Sequence, residues 1–120
     1  MSAPLQLTIA DGIAEIRLDD GKVNALSESM LEQLLAAIAK AAEADAALLI
    51  SGRPGVFSGG YDRKLIDAGG PACDAMRAAG DRLTLALLDY PAPVVIAATG
   101  HAMAKAAFML LLADYRLGTE

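Results

Sequence analysis

Tryptophan is absent, there are two phenylalanines and three tyrosines, and cysteine and histidine occur once each. A lone Cys73 cannot close an internal disulfide, and with a single His101 there is no metal-ligand cluster of the usual spacing, so no resident metal is expected. A reducing, cytoplasmic setting fits that economy. Cationic charge is also short: ten Lys and Arg face fifteen Asp and Glu, for a net charge of −5 and a pI near 4.7. That balance argues against nucleic acid as a general partner, because no basic face offsets phosphate repulsion. The stretch Met1 to Leu7 has neither a basic n-region nor an apolar h-region, so no secretory signal is expected. No internal repeat, low-complexity tract or linker is visible.

Motif absences narrow the chemistry further. Neither G-x-G-x-x-G nor G-x-x-x-x-G-K-[ST] occurs, which removes the dinucleotide and P-loop readings. Ser58 lacks the glycine two places earlier that a nucleophile elbow needs. His101 follows a turn glycine inside an apolar run and reads as a packed side chain rather than a base.

What the chain has in quantity is aliphatic surface: 55% hydrophobic residues and a mean hydropathy of +0.41. For 120 residues, at most one domain, this is an excess that predicts apolar faces meant for further chain or for neighbouring subunits. Val94 to Ala113 is long enough to raise the question of a membrane span, but Thr99-Gly100-His101 interrupts it and Lys105 lies within it. Strand, turn and buried helix is the expected reading, with no membrane partner.

Leu5, Leu7 and Ile9, then Ala14, Ile16 and Leu18, alternate with polar neighbours as half-buried strands do, and Asp11-Gly12 between them predicts a type I′ hairpin. Ser29 and Glu32 form a possible capping box, after which Leu31, Leu34, Leu35, Ile38 and Ala42 predict a helix over 29–44. Ala46 to Ser51 reads as a strand buried on both faces, joined to the hairpin by a right-handed crossover. Cys73, Met76, Gly80, Leu83 and Leu87 mark another helix, stopped by Tyr90-Pro91-Ala92-Pro93. Val94 to Ala98 is a second buried strand, Met103 to Ala113 a central helix, and Asp114 to Leu117 the start of a further strand.

Chemistry concentrates at Val56-Phe57-Ser58-Gly59-Gly60-Tyr61-Asp62, between the apolar run ending at Ile50 and a short helix over 62–68. A strand, glycine turn and helix leave backbone N–H groups unpaired at the positive end of a helix dipole, suited to an anion or to a carbonyl oxygen gaining charge. Glycines at 59 and 60 permit positive φ and close approach. Asp62 reads as the helix cap rather than a general acid.

Phe57-Ser58-Gly59-Gly60-Tyr61-Asp62 resembles the F-S-A-G-x-D element of the crotonase, or enoyl-CoA hydratase/isomerase, superfamily. Three further blocks agree, in order: Val23-Asn24-Ala25-Leu26 with its N-A-L-x motif, Pro91-Ala92-Pro93-Val94-Val95-Ile96-Ala97-Ala98-Thr99-Gly100-His101-Ala102 with its K/x-P-V-I-A-A-V-N-G-x-A segment, and Ala113-Asp114-Tyr115-Arg116-Leu117 with its C-D-x-R-I segment. The resemblance implies an α/β chain, the N-terminal portion of a crotonase-like ββα spiral, whose C-terminal remainder is not included in these 120 residues. It implies an acyl-CoA thioester as ligand, coenzyme A being part of the substrate and no separate cofactor being required, and a homo-oligomer, a trimer or dimer of trimers.

Residue by residue, the resemblance makes the amide of Tyr61 one half of an oxyanion hole. Ala104-Lys105-Ala106 replaces the family's G-G-G, so the amide of Lys105 is the other half, with a side chain where glycine is usual. Phe108 stands where family hydratases carry the glutamate that activates water. A phenyl ring cannot do this, so isomerase-type chemistry with an acid from beyond Glu120 is expected. A pseudo-enzyme that only binds acyl-CoA is the alternative, and a structural module that binds nothing is a third. Phe108 itself reads as a core aromatic on a buried helix or as an acyl-pocket wall. Substrate contact is implied for Lys22, Ala25, Gly60, Asp62, Arg63, Lys64 and Phe108, and Lys22, Arg53, Arg63 and Lys64 form the basic set for the CoA phosphates.

Overall fold

Alternation of apolar and polar residues places the first two strands back to back, and the rest of the chain is laid against them. The structure, a computed structural model, describes residues 4–120, so Met1 to Ala3 of the stretch read for a leader lie outside the described residues. Strand β1 (Leu5–Ala10) pairs antiparallel with β2 (Ile13–Leu18), with Ala10 opposite Ile13. Only Asp11 and Gly12 remain for the turn, at φ 53° and 79°, the two positive values a type I′ hairpin requires. Ala14, Ile16 and Leu18 are fully buried, while on β1 Leu5 and Leu7 are half-buried and Ile9 is exposed.

Helix α1 (Glu28–Glu43) then crosses to β3 (Ala47–Ser51), which lies parallel to β2. The predicted capping box is displaced: Ser27 is the cap, its Oγ accepting from the Met30 amide, while Ser29 Oγ takes the Gln33 side chain. Ser27 is extended and Ser29 is already helical, and only an extended residue can turn its hydroxyl onto the first free amides. Strand β3 is buried on one face and half-buried on the other, rather than on both.

After β3 the chain makes β4 (Gly55–Ser58), α2 (Arg63–Ala68) and α3 (Gly70–Leu88), then β5 (Val94–Ala97), β6 (Gly100–Ala102), α4 (Lys105–Leu110) and β7 (Tyr115–Leu117). Strands β1, β2, β3, β5 and β7 form one sheet in that order, parallel beyond β2, and β4 pairs with β6 in a separate two-stranded parallel sheet. The second sheet was not foreseen. Its close contact has a plain cause, since a Cβ on Gly100 would lie 2.0 Å from the Gly55 carbonyl carbon and one on Gly52 2.3 Å from the Val56 oxygen.

The core lies between the large sheet and the helices: Ile16, Leu18, Leu31, Leu34, Leu48 and Ile50 meet Met76 and Leu83 of α3. Asp114 locks the last strand in place, its carboxylate accepting from the Val94 amide at 2.7 Å and its own amide donating to the Val94 carbonyl at 2.8 Å. Arg116 then donates to the Leu110 and Ala113 carbonyls at the end of α4, where a helix leaves acceptors unpaired. The central helix is shorter than its apolar run predicted, six residues in place of eleven, and only Ala106 and Met109 of it are buried. Phe108 is 64% exposed and Leu111 73%, so the expectation of a core aromatic is corrected: within the described chain nothing packs on that face. No helix among the described residues is long and apolar enough to cross a membrane.

Candidate functional site

Two turns leave the ends of β4 and β6 side by side. The first, Gly59-Gly60-Tyr61, follows Ser58, and the second, Met103-Ala104, follows Ala102; the rungs Ser58 and Ala102 are register partners, and the Met103 amide donates to the Ser58 carbonyl at 3.0 Å. Gly60 has φ 85°, and a Cβ there would lie 2.6 Å from the Met103 oxygen and 3.2 Å from the Lys105 nitrogen. Only glycine fits both the dihedral and the approach. Tyr61 N is bonded to the Gly60 carbonyl carbon, so standard bond lengths put the Tyr61 and Lys105 nitrogens within about 7 Å of each other. Neither N–H is used in a turn, loop or cap hydrogen bond among the described residues.

The first turn is held by the segment before α1. Asn24 is fully buried at φ 52°, a left-handed conformation that asparagine tolerates better than most residues. Its Nδ2 donates to the Leu18 carbonyl at 3.1 Å and the Phe57 carbonyl at 3.0 Å, and its Oδ1 accepts from the Asp20 amide at 2.8 Å. Ser58 Oγ, also buried, donates to the Asn24 carbonyl at 2.7 Å and accepts from the Gly60 amide at 3.1 Å. Backbone bonds from Gly59 N to Val23 O and from Leu26 N to Gly60 O complete the pairing. Asn24 and Ser58 are thus the groups that set the turn; in the sequence both stand out only as motif letters, and Ser58 also as a nucleophile without its elbow.

The second turn is strained. Ala104, the N-cap of α4, sits at φ 50°, ψ −120°, a region suited to glycine, and makes no side-chain cap. Ala104→Gly is therefore expected to stabilise the protein by about 1 kcal/mol, the relieved strain being partly offset by the greater freedom of glycine in the unfolded chain. Equilibrium urea unfolding at neutral pH measures it.

Lys105 sends its side chain past the Tyr61 ring to α3. Its Nζ donates to Thr84 Oγ1 on α3 at 2.7 Å and lies 6.0 Å from the centre of the Tyr61 ring. That ring rests over Gly80, where a Cβ would fall 1.9 Å from the Tyr61 hydroxyl oxygen. Burial, aided by the charge of Asp81 and opposed by Arg77, raises the Tyr61 phenol above its ordinary range.

An open cleft of about 400 Å³ lies beside the two turns, lined by Gly59, Tyr61, Arg63, Ile66, Asp67, Met103 and Ala104. Of the residues singled out from sequence, Tyr61 and Arg63 line it directly, and Gly60 and Lys105 belong to the turns that frame it. Asp62 caps α2, accepting from the Lys64 amide at 2.9 Å, and Lys64 is exposed on that helix. Arg63 is 92% exposed on its side chain and faces Asp67 at 4.0 Å. Ala25 is half-buried in the segment beside the first turn, and the Lys22 side chain is exposed. Arg53 is occupied otherwise: it pairs with Asp19 at 3.4 Å and Asp20 at 3.9 Å and donates to the Lys22 carbonyl, which makes it a clamp on the loop before Asn24. Phe108 does not line the cleft. No group of three His, Cys, Asp or Glu among the described residues is placed to hold a metal.

Comparison with known proteins bears on all of this. The family profile described as enoyl-CoA hydratase/isomerase matches residues 8–120. No curated protein matches the chain. Among solved structures, two of one Mycobacterium tuberculosis protein are similar: one is named a probable enoyl-CoA hydratase (46% identity, TM-score 0.91, covering 95% of this chain and 49% of that one) and the other an enoyl-CoA isomerase (47%, 0.90, 97% and 51%). An enoyl-CoA hydratase/isomerase family protein from Pseudomonas syringae is similar at 39% identity and TM-score 0.91, over 96% of this chain and 50% of that one. The chain spans about half the length of these solved relatives.

Proposed function

We propose, from the premise that this chain belongs to the enoyl-CoA hydratase/isomerase family and forms the N-terminal portion of the crotonase fold, that it binds an acyl-CoA thioester and polarises its carbonyl with the amides of Tyr61 and Lys105. The observation that carries the reading is the contact of the Gly60 turn with residues 103–105, which leaves two backbone donors unpaired at the edge of one cleft. In this role the two N–H groups receive the negative charge that gathers on the thioester oxygen as the neighbouring carbon loses a proton. A preorganised donor of this kind is worth about 3 kcal/mol in the transition state.

Phe108 can neither accept nor deliver that proton, so the reaction is of the isomerase type, with the proton carried by a carboxylate supplied outside these residues. No cofactor is required beyond the coenzyme A of the substrate. Lys22, Arg63 and Lys64, all exposed, remain available for its phosphates, whereas the ion pairs of Arg53 favour a structural role for it. Assembly as a homo-oligomer, a trimer or dimer of trimers, is supported by the exposed Met103, Phe108, Leu111 and Tyr115.

The test is ligand-dependent unfolding combined with turnover. Crotonyl-CoA at a hundred times its dissociation constant is expected to stabilise the protein by about 2.7 kcal/mol, as for any ligand bound by the folded state alone. Together with the residues that supply that carboxylate, the protein should also interconvert 2- and 3-enoyl-CoA positional isomers. No stabilisation by any CoA thioester would end the reading. Stabilisation without turnover is the outcome of a second reading, a binding protein that has lost its acids, which Phe108 favours.

A further inference from the structure

A lysine at the first position of a helix sits at the wrong end of the dipole, where a cation is disfavoured. Its presence at the start of α4 calls for a compensating contact, and two are found: the Thr84 hydroxyl at 2.7 Å and the face of the Tyr61 ring. Thr84 Oγ1 donates in turn to the Gly80 carbonyl at 3.2 Å, which turns its lone pairs toward the ammonium. Gly80 is also the residue whose missing side chain admits the Tyr61 hydroxyl. The two residues whose amides border the cleft are therefore tied by their own side chains to a single turn of α3.

Helix α4 is held at its far end by Arg116 on the Leu110 carbonyl, but its first turn has no side-chain grip besides that of Lys105. It is six residues long, buries only Ala106 and Met109, and begins at the strained Ala104. A helix this short has no appreciable stability of its own, so the orientation of its first amide depends on what its first side chain grips. We infer that the Lys105 side chain is a positioning strut: through Thr84 and the Tyr61 ring it fixes the β6–α4 turn against the β4–α2 turn and so sets how strongly a bound thioester carbonyl is polarised. The inference rests on the thioester reading above. It gives a use to the side chain that stands where the resembled family has glycine.

The experiment reads the carbonyl itself. Crotonyl-CoA labelled with ¹³C at the thioester carbon is bound to the protein, and the carbonyl stretch is followed by isotope-edited infrared difference spectroscopy, which needs no turnover. The wild type is expected to lower the frequency relative to free ligand. Lys105→Met, which keeps the aliphatic stem and loses the ammonium, should lose at least about half of that shift and lower kcat about tenfold with KM changed less than about twofold, since the donor is misaimed rather than removed. Thr84→Val should match it, the double variant should add little to either, and Thr84→Ser should keep the wild-type band. Wild-type frequency and wild-type kcat in Lys105→Met would overturn the strut while leaving the thioester reading in place. A wild type that binds no thioester, or binds it without any carbonyl shift, would overturn both.

Discussion

Replacing Gly60 with alanine is expected to cost about 3 kcal/mol of folding stability and to lower thioester turnover at least about a hundredfold. Two effects add. At φ 85° a Cβ is strained whatever surrounds it, and here it would also lie 2.6 Å from the Met103 oxygen, 3.1 Å from the Ala104 Cβ and 3.2 Å from the Lys105 nitrogen. These are mostly backbone atoms of the facing turn, so relief must come from the two turns moving apart. Gly12→Ala is the control, because Gly12 has φ 79° with nothing within 4 Å of the added carbon and lies in the remote β1–β2 hairpin. It should lose about 1–2 kcal/mol of stability and no turnover. Urea unfolding and steady-state kinetics on both variants separate the dihedral cost from the separation of the turns. Equal kinetic effects in the two would remove the argument that contact between the turns matters.

Asn24→Ala should destabilise the protein by about 4 kcal/mol, a large fraction of the 5–15 kcal/mol typical of a folded domain. Two carbonyls, of Leu18 and Phe57, lose their shared donor, and the Asp20 amide loses its acceptor. Alanine is also less comfortable than asparagine at φ 52°. Asn24→Gly removes the same bonds but not the backbone freedom, and should recover about 1 kcal/mol of the loss. Asn24→Asp keeps shape and acceptor while removing the donor, and should fall close to Asn24→Ala, because a carboxylate beside two carbonyl oxygens is repelled. Equilibrium unfolding of the three variants gives the order. A loss under about 1 kcal/mol in Asn24→Ala would show that the loop from Asp19 to Asn24 is held by the Arg53 clamp instead.

Both substitutions concern positions whose importance is only half visible in the residue string. Period-two alternation and Asp11-Gly12 defined the hairpin to the residue, because a two-residue turn with positive φ at both positions has few chemical solutions. Helices α1 and α3, strands β3 and β5, and the cap at Asp62 were likewise legible, as each rests on local spacing. The β4–β6 sheet was not. Its strands are four and three residues long, too short for periodicity to register, and their pairing depends on glycines that matter only once the two backbones meet. The cap at Ser27 was missed for a similar reason: two serines stood within capping distance, and the backbone set by the pairing of Leu26 with Gly60 chose between them.

The site divides the same way. Tyr61 and Lys105 were picked out by resemblance, but no property of the sequence told which way Lys105 would reach, since that depends on Thr84, twenty-one positions earlier on another helix. Phe108 misled because an apolar run implies burial only when something is laid over it.

Ser58 and Ala102 occupy one rung of a ladder, and both turns grow from it. A slip of that ladder by a single residue would offset them by about 3.3 Å, far more than any side-chain exchange at 61 or 105 could do. The glycines at 60 and 100 let the two backbones meet there, so the spacing of the turns is set in the main chain, and a side chain such as that of Lys105 can only trim the aim of what the ladder has already placed.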